Sequence, residues 1–181
     1  QYIYIPKIGT KALDLETGIQ NSLADDEITI VDTIRYESLT PGVTFVAKGV
    51  LMDKETGKPL LVNGKEVTSE TNFTPETEDG EVEVSFTFDG SGLEGKTVVV
   101  FEEVLCDGTL VADHKELSSI GQTIYIPEIG TTASDAENGS QTSMADEEIM
   151  VKDIVKYENL IPGTAYTVKG KLYDQETGKP M

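Results

Sequence analysis

Cysteine is almost absent from this chain of 181 residues, which contains only Cys106. A single cysteine excludes an intramolecular disulfide, so sulfur cannot provide covalent reinforcement. Cys106 precedes the turn sequence Asp107–Gly108, and nearby acidic groups make a thiol less reactive. We therefore expect Cys106 to be an inert thiol.

Basic residues are also scarce. The chain has 14 lysines and arginines against 33 aspartates and glutamates, a formal net charge of −19. Nucleic acids and anionic membranes would repel such a chain, so we expect neither as a partner. Long apolar runs are missing too, since no stretch approaches the roughly 18 residues that span a bilayer. Any secretion or anchoring signal is expected outside this piece of sequence.

The sequence does contain a long internal repeat. The segment Gln1–Thr10 returns as Gln122–Thr131, at an offset of 121 residues, and more than half of the overlapping positions are identical. A period of this length is a whole domain. We predict that residues 1–6 end a preceding repeat, that residues 7–126 form a complete repeat and that residues 127–181 begin the next. The chain would then be a piece of a longer tandem array.

Apolar and polar residues alternate along several short segments, which is the pattern of half-buried strands. Residues 28–36, 45–51 and 82–88 alternate in this way, whereas Val98–Phe101 is apolar on both faces. Turn-forming pairs such as Asn63–Gly64 separate such segments. The pattern predicts an all-β fold, an immunoglobulin-like antiparallel β-sandwich in tandem repeat. A closed barrel is the alternative architecture.

Three polar side chains fall on apolar strand faces. Asp32 shares a face with three isoleucines and a tyrosine, Glu102 follows two inward valines, and Gln122 precedes two inward isoleucines. Asp153 repeats the pattern of Asp32 in the second copy. Because a buried carboxylate must be protonated or paired, we expect a raised pKa for at least one acid if Asp32 and Glu102 share a pocket. Such pairs are typical of reactive sites; the alternative is that each residue lies in a wet rim at a strand end.

The single histidine, His114, lies shortly before Gln122. It is the one side chain here able to accept a proton near neutrality without a large pKa shift. A surface histidine without a chemical role is the alternative interpretation.

Together these residues resemble a known family. Gly9–Thr10 near the start of a repeat, Val31–Thr33, Val99–Glu102, and His114 followed by Gly121–Thr123 are similar to the motifs of T-Q ester-bond domains. These domains are the VaFE-type repeats that build the stalks of Gram-positive surface adhesins. The resemblance covers essentially the whole chain.

The resemblance implies an immunoglobulin-like domain whose first and last strands are joined by an autocatalytic ester between threonine and glutamine. Carried onto this sequence, Thr10 is the nucleophile and Gln122 provides the acyl group. His114 is the base, and Asp32 with Glu102 is the acid pair that would hydrogen-bond the oxyanion as ammonia leaves. Each domain would react once, so the resemblance implies neither a turnover enzyme nor a cofactor or metal.

Two positions bear on this assignment. Many family members have an aspartate three residues before the glutamine, where this chain has Ser119. If that acid orients the histidine, the reaction here is expected to be slow or incomplete. Thr33 is a competing nucleophile, but alternation places it on the face opposite Asp32. We therefore prefer Thr10, whose equivalent in the second copy is Thr131.

The expected function is that of a stalk repeat in a bacterial surface adhesin or fibre, outside the cell and anchored to the cell wall through another region. Neighbouring repeats would be its partners, and other domains would hold any host ligand. The alternative is a ligand-binding module without a cross-link, in which Asp25, Asp26 and Glu27 could hold calcium, although no regular ligand spacing is visible.

Two further alternatives have less support. A hydrolase would use a similar set of side chains but would need a nucleophile-elbow pattern that the sequence lacks. An isopeptide cross-link would need an inward lysine as convincing as Thr10.

The second copy ends before any counterpart of Glu102, His114 or Gln122. We therefore expect Thr131 to carry no ester within this chain, and Gln1 to be the acceptor of a preceding repeat.

Overall fold

The structure is a computed structural model that describes residues 5–145 and 147–181. It divides into two compact units. The first unit runs up to Glu128 and includes Asn159–Ile161, and the second comprises Ile129–Glu158 and Pro162–Met181. Gln1, with its expected role in a preceding repeat, lies outside the described residues. None of the described segments forms a helix long and apolar enough to cross a membrane.

The first unit is built from short antiparallel strands. They are β1 Lys7–Asp14, β2 Ile28–Glu37, β3 Phe45–Asp53, β4 Lys58–Pro59, β5 Leu61–Val62, β6 Lys65–Glu66, β7 Thr68–Phe73, β8 Gly80–Phe88, β9 Thr97–Cys106, β10 Thr109–His114 and β11 Thr123–Tyr125. A short 3₁₀ helix, Ile120–Gln122, precedes β11. Sheet A has the order β1-β2-β8. Sheet B has the order β10-β9-β3-β4, with β7 on β3 and β11 on β9, and β5 pairs with β6 as a separate hairpin.

The two sheets face each other across one core. Every second side chain of β2 and of β8 is buried, because successive side chains of a strand point to opposite faces. The core combines Ile30 and Phe86 of sheet A with Leu51 and Val100 of sheet B. The predicted all-β antiparallel sandwich is confirmed, whereas the alternative of a closed barrel is wrong because the sheets are separate.

One edge of β9 carries two different strands in succession. β11 pairs with the beginning of β9, where Thr123 is opposite Val99, and β10 pairs with its end, where His114 is opposite Glu102. Between β10 and β11 the chain leaves this edge, turns through the 3₁₀ helix and returns. Glu102, His114 and Gln122 therefore all lie beside one gap in the edge of sheet B.

A turn with the sequence Asp-x-Glu-Thr/Asn-Gly occurs in both units, at Asp14–Gly18, Asp53–Gly57, Asp135–Gly139 and Asp174–Gly178. In each turn the aspartate side chain accepts the N–H of the fourth residue at 2.7–2.9 Å. The glycine N–H donates to the aspartate carbonyl at 2.9–3.0 Å. The glycine has a positive φ of 62–70°, which residues with a side chain rarely adopt. Local chemistry is thus sufficient to form this turn.

The second unit contains a hairpin. β12 Glu128–Asp135 pairs with β13 Val151–Glu158 in a two-stranded sheet. Asp153 is exposed, as are Val151 and Tyr157 on the same face. The expectation that Asp153 points into an apolar core like Asp32 is therefore wrong here, because no second sheet of the described residues covers this hairpin.

Candidate functional site

Thr10 lies in β1, an edge strand of sheet A, opposite Ile34 of β2. Two residues further on, Ala12 is opposite Asp32. Thr10 and Asp32 are thus diagonal neighbours on the inward face, a relation that places residues about 7–8 Å apart. The Thr10 hydroxyl is buried and has no hydrogen-bond partner in the described part of the chain. Since an unpartnered buried polar group costs about 1–3 kcal/mol, the hydroxyl requires an explanation other than packing.

Asp32 and Glu102 come from the two facing sheets, and both are fully buried. Burial raises the pKa of Glu102 to about 10, with the charge of Asp32 and a hydrogen bond to it adding to the effect. Burial also raises the pKa of Asp32, to about 6, against the opposing effects of hydrogen bonds with Glu102 and Gln122 and of the charge of His114. At neutral pH the pair therefore holds one proton, on Glu102, whose pKa is the higher of the two. This agrees with the expectation of a shared pocket and a raised pKa.

A glycine makes room for the Glu102 carboxyl. Gly49 of β3 is opposite Glu102, and a β-carbon placed on Gly49 would lie 2.5 Å from Glu102 Oε1 and 2.3 Å from Cζ of Phe86. If Glu102 were ionised, both of its carboxylate oxygens would be buried without a hydrogen-bond donor among the described residues. This cost explains why Glu102 keeps its proton. Sequence reasoning assigned no role to Gly49, although a glycine inside an alternating strand is a signal of close approach.

Gln122 ends the 3₁₀ helix and is fully buried, as alternation predicted. Its Nε2 donates to Asp32 Oδ1 at 3.2 Å and lies 3.4 Å from Oδ2; an ionised carboxylate only accepts hydrogen bonds, so it requires this orientation of the amide. Gln122 Oε1 has no partner among the described residues. Asp32 thus lies beside the amide nitrogen, whereas the resemblance had suggested acids at the carbonyl oxygen.

The 3₁₀ helix packs directly on β1. A β-carbon placed on Gly121 would lie 3.4 Å from the backbone oxygen of Thr10, so the residue before Gln122 contacts the strand that carries the predicted nucleophile. Thr10 belongs to sheet A, and Gln122 leads into β11 of sheet B. A bond between the two side chains would therefore connect the two sheets.

His114 ends β10 and is partly buried. Its Nε2 lies 3.2 Å from Oγ of Ser119. Ser119 therefore hydrogen-bonds the histidine from the position at which many family members have aspartate. A serine can orient the imidazole, but it brings no negative charge to stabilise the imidazolium that forms when His114 takes a proton.

The residues considered as alternatives lie outside this pocket. Thr33 is opposite Lys11 and Glu83, both exposed, and so lies on the outer face of sheet A. Cys106 is a free, partly exposed cysteine. In the ranges that the structure describes, no group of three or more histidines, cysteines or acids could hold a metal ion, and this includes the acids at positions 25–27.

Comparison with known families leads to the same chemistry. The sequence profile described as T-Q ester bond containing domain matches residues 6–126 and again residues 127–180. The chain belongs to this T-Q ester bond family. The repeats predicted from the sequence of this chain comprise residues 7–126 and residues 127–181.

Two solved structures resemble this T-Q chain. Both are of a bacterial adhesin from Mobiluncus mulieris that contains intramolecular disulfide, isopeptide and ester bond cross-links, seen in two crystal forms. The sequence identities are 18% and 16% and the TM-score is 0.57 for each, with 83% of this chain and 76% of the adhesin chain covered. At such identities the likeness supports the fold of the T-Q chain. None of the curated proteins matches it significantly.

Proposed function

We propose that the first unit is a structural domain of a cell-surface adhesin, held together by an ester between Thr10 Oγ1 and the side-chain carbonyl carbon of Gln122. The observation that carries this proposal is that the Thr10 hydroxyl and the Gln122 carbonyl oxygen are both buried without partners, beside an acid pair that holds one proton. Family membership supports the ester. The fold shared with a bacterial adhesin supports the location outside the cell.

The side chains suggest how the bond would form. His114 takes the proton from Thr10 as Oγ1 attacks the amide carbon of Gln122. Asp32 already accepts a hydrogen bond from Nε2, so the Asp32–Glu102 pair can protonate the leaving nitrogen, and His114 returns a proton to the pair. Thr10 loses a hydrogen, Gln122 loses its amino group, and the two leave as ammonia. Because the product is the protein itself, each domain reacts once and is not a turnover enzyme.

The proposed role is mechanical. An ester between Thr10 and Gln122 would close a loop of about 110 residues, which in a chain-entropy estimate stabilises the fold by about 4–5 kcal/mol. It would also join the edge strand of sheet A to the segment that enters sheet B. Force applied at the two ends of the domain would then load a covalent bond and not only hydrogen bonds. This suits a stalk repeat of a Gram-positive surface protein, with neighbouring repeats as its partners and the cell-wall anchor in another region.

The intact mass of the 181-residue chain tests the proposal. We expect the folded chain to weigh less than its sequence by one ammonia, and the Thr10→Ala and Gln122→Ala variants to keep the full sequence mass. Alkaline hydroxylamine should cleave the link, since it cleaves esters and not isopeptides. Full sequence mass in freshly folded and in long-incubated wild-type chain would contradict the proposal.

A further inference from the structure

We infer that Gln20 is a positioning residue for ester formation, because it fixes the turn that presents Gln122 to Thr10. The inference rests on the ester chemistry proposed above. Gln20 lies in the segment between β1 and β2, far from Gln122 in sequence, and belongs to none of the motifs that indicated the site.

One side-chain amide bridges both ends of the reactive turn. Gln20 Nε2 donates to the backbone oxygen of Ile120 at 2.6 Å and to that of Thr123 at 2.8 Å. Ile120 begins the 3₁₀ helix and Thr123 begins β11, so the two carbonyl groups flank Gln122. An amide NH₂ group has two hydrogens, so both bonds can form at once.

The backbone of Gln20 is itself held against the last strand. Its carbonyl accepts the N–H of Tyr125 at 2.8 Å, and the N–H of Ser22 donates to the carbonyl of Tyr125 at 2.9 Å. Asn21 and Tyr125 form a parallel bridge. The Gln20 side chain therefore starts from a fixed position beside β11.

The same segment is tied to the strand that carries the nucleophile. Asp14 ends β1 and is buried. Its side-chain Oδ2 accepts a hydrogen bond from Ser22 Oγ at 2.7 Å, and its backbone N–H donates to the carbonyl oxygen of Ile19 at 2.9 Å. Hydrogen bonds thus run from the end of β1 through residues 19–22 to the turn of Gln122. Gln20 is the member of this network that contacts the turn on both sides of the reacting residue.

The turn needs such support because its own hydrogen bonds do not fix it relative to β1. The N–H of Gln122 lies 3.4 Å from the carbonyl of Ser119, and 3₁₀ geometry is generally poorer than that of an α-helix. Thr123 Oγ1 donates to the Ser119 carbonyl at 2.7 Å, but this bond holds the turn internally and does not relate it to β1. Attack requires the reacting atoms to approach to about 3–3.5 Å, and a misplacement of about 1 Å can slow a reaction about 100-fold.

Substitution of Gln20 in the full chain tests the inference. The chain is isolated unfolded in denaturant and refolded by dilution, and loss of ammonia is followed by intact mass while circular dichroism follows folding. Gln20→Met keeps the length of the side chain but removes both donors, and we expect ammonia loss to be about 10- to 100-fold slower. Gln20→Glu should be at least as slow, because its carboxylate would face two carbonyl oxygens.

A matched control comes from the second unit. The repeat offset takes Gln20 to Gln141, which is exposed, and Gln141→Met should leave the rate unchanged. The pH dependence gives a second readout. Gln20→Met should lower the rate at every pH without moving the midpoints of the profile, because the Gln20 side chain bonds to backbone carbonyl groups and not to the groups that transfer protons.

The outcomes separate the inference from the proposed function. If Gln20 had a merely structural role, Gln20→Met would lower the denaturation midpoint of the Gln122→Ala variant. The folded Gln20→Met chain would then still lose ammonia at the wild-type rate. That result would overturn the inference but not the proposed ester. If the wild-type chain itself never lost ammonia, the proposed ester would fail, and the role of Gln20 with it.

Discussion

Asp32 and Asp153 occupy the same place in two copies of one sequence pattern, yet Asp32 is fully buried and Asp153 is exposed. In the first unit β2 lies between β1 and β8 and faces sheet B, whereas β13 pairs with β12 in a two-stranded sheet. Alternation therefore determines to which side a residue points, but burial depends on a second layer. Since burial is the largest cause of the raised pKa of Asp32, the chemistry depends on that layer too.

The Asp-x-Glu-Thr/Asn-Gly turns behave differently. They have the same hydrogen bonds and the same glycine conformation in both units, although the units differ in burial. A turn closed by its own side chain needs no second layer. A reactive carboxyl does need a second layer, because its pKa depends on burial.

The largest expected effect is that of His114→Ala. General-base catalysis typically contributes about 10²- to 10⁴-fold, so the rate of ammonia loss should fall by that factor. The fold should be retained, because His114 ends a strand and is only partly buried. Time-resolved intact mass gives the rate and circular dichroism checks the fold. An unchanged rate would remove His114 from the mechanism.

The equivalent aspartates provide a matched pair of substitutions. Asp32→Ala should slow ammonia loss by about 10²- to 10³-fold, a typical effect of removing a preorganised polar group from a reacting centre. Asp153→Ala should change neither the rate nor the stability, because Asp153 is exposed. Equal effects of the two substitutions on the rate would break the comparison.

The acid pair should also make stability depend on pH. The folded-state pKa values of Glu102, about 10, and Asp32, about 6, are raised from 4.5 and 3.8. The folded chain therefore keeps protons that the unfolded chain releases. The contribution of these two groups to stability is fully present below about pH 4, and it is lost as the pH rises through about 6 for Asp32 and about 10 for Glu102. The slope for one proton is at most about 1.4 kcal/mol per pH unit.

This dependence is measured best without the ester. Urea unfolding of the Thr10→Ala variant at a series of pH values should show the loss of stability. Adding the Glu102→Gln substitution to this variant should abolish the loss of stability above pH 6. Parallel curves for the two variants would mean that Glu102 is ionised in the folded chain.

Two equivalent glycines provide the smallest effects. Gly49→Ala should destabilise the chain by about 1–3 kcal/mol, as overpacking does, and should slow ammonia loss because it displaces the Glu102 carboxyl. Gly170→Ala should change stability by no more than about 0.5 kcal/mol, since a β-carbon there has no neighbour within 4 Å among the described residues. Urea unfolding measures both, and a harmless Gly49→Ala would show that the carboxyl does not need this space.

Much of the site followed from alternation alone. The inward orientation of Asp32 and Glu102 is a property of single strands, and it was predicted from the sequence. Gln122 is buried as predicted, but it lies in the 3₁₀ helix before β11 and not in a strand. The glycine at position 49 indicates a close approach in β3, but its partner Glu102 could not be predicted. The role of Gln20 could not be predicted either, because both depend on which distant segments come together: β3 beside β9, and residues 20–22 beside β11. The same holds for the hydrogen bond of Gln122 Nε2 to Asp32, since it joins two sheets.

The central claim is that Thr10 and Gln122 become covalently joined, and mapping the link tests it most directly. Trypsin should release Ile8–Lys11 joined to Glu116–Lys152 as one branched species, lighter than the two peptides together by one ammonia. Tandem mass spectrometry should place the branch at Thr10 and Gln122. Recovery of both peptides unlinked at full mass, or a branch from Glu116–Lys152 to the Thr33-containing peptide Ala12–Arg35, would contradict the account.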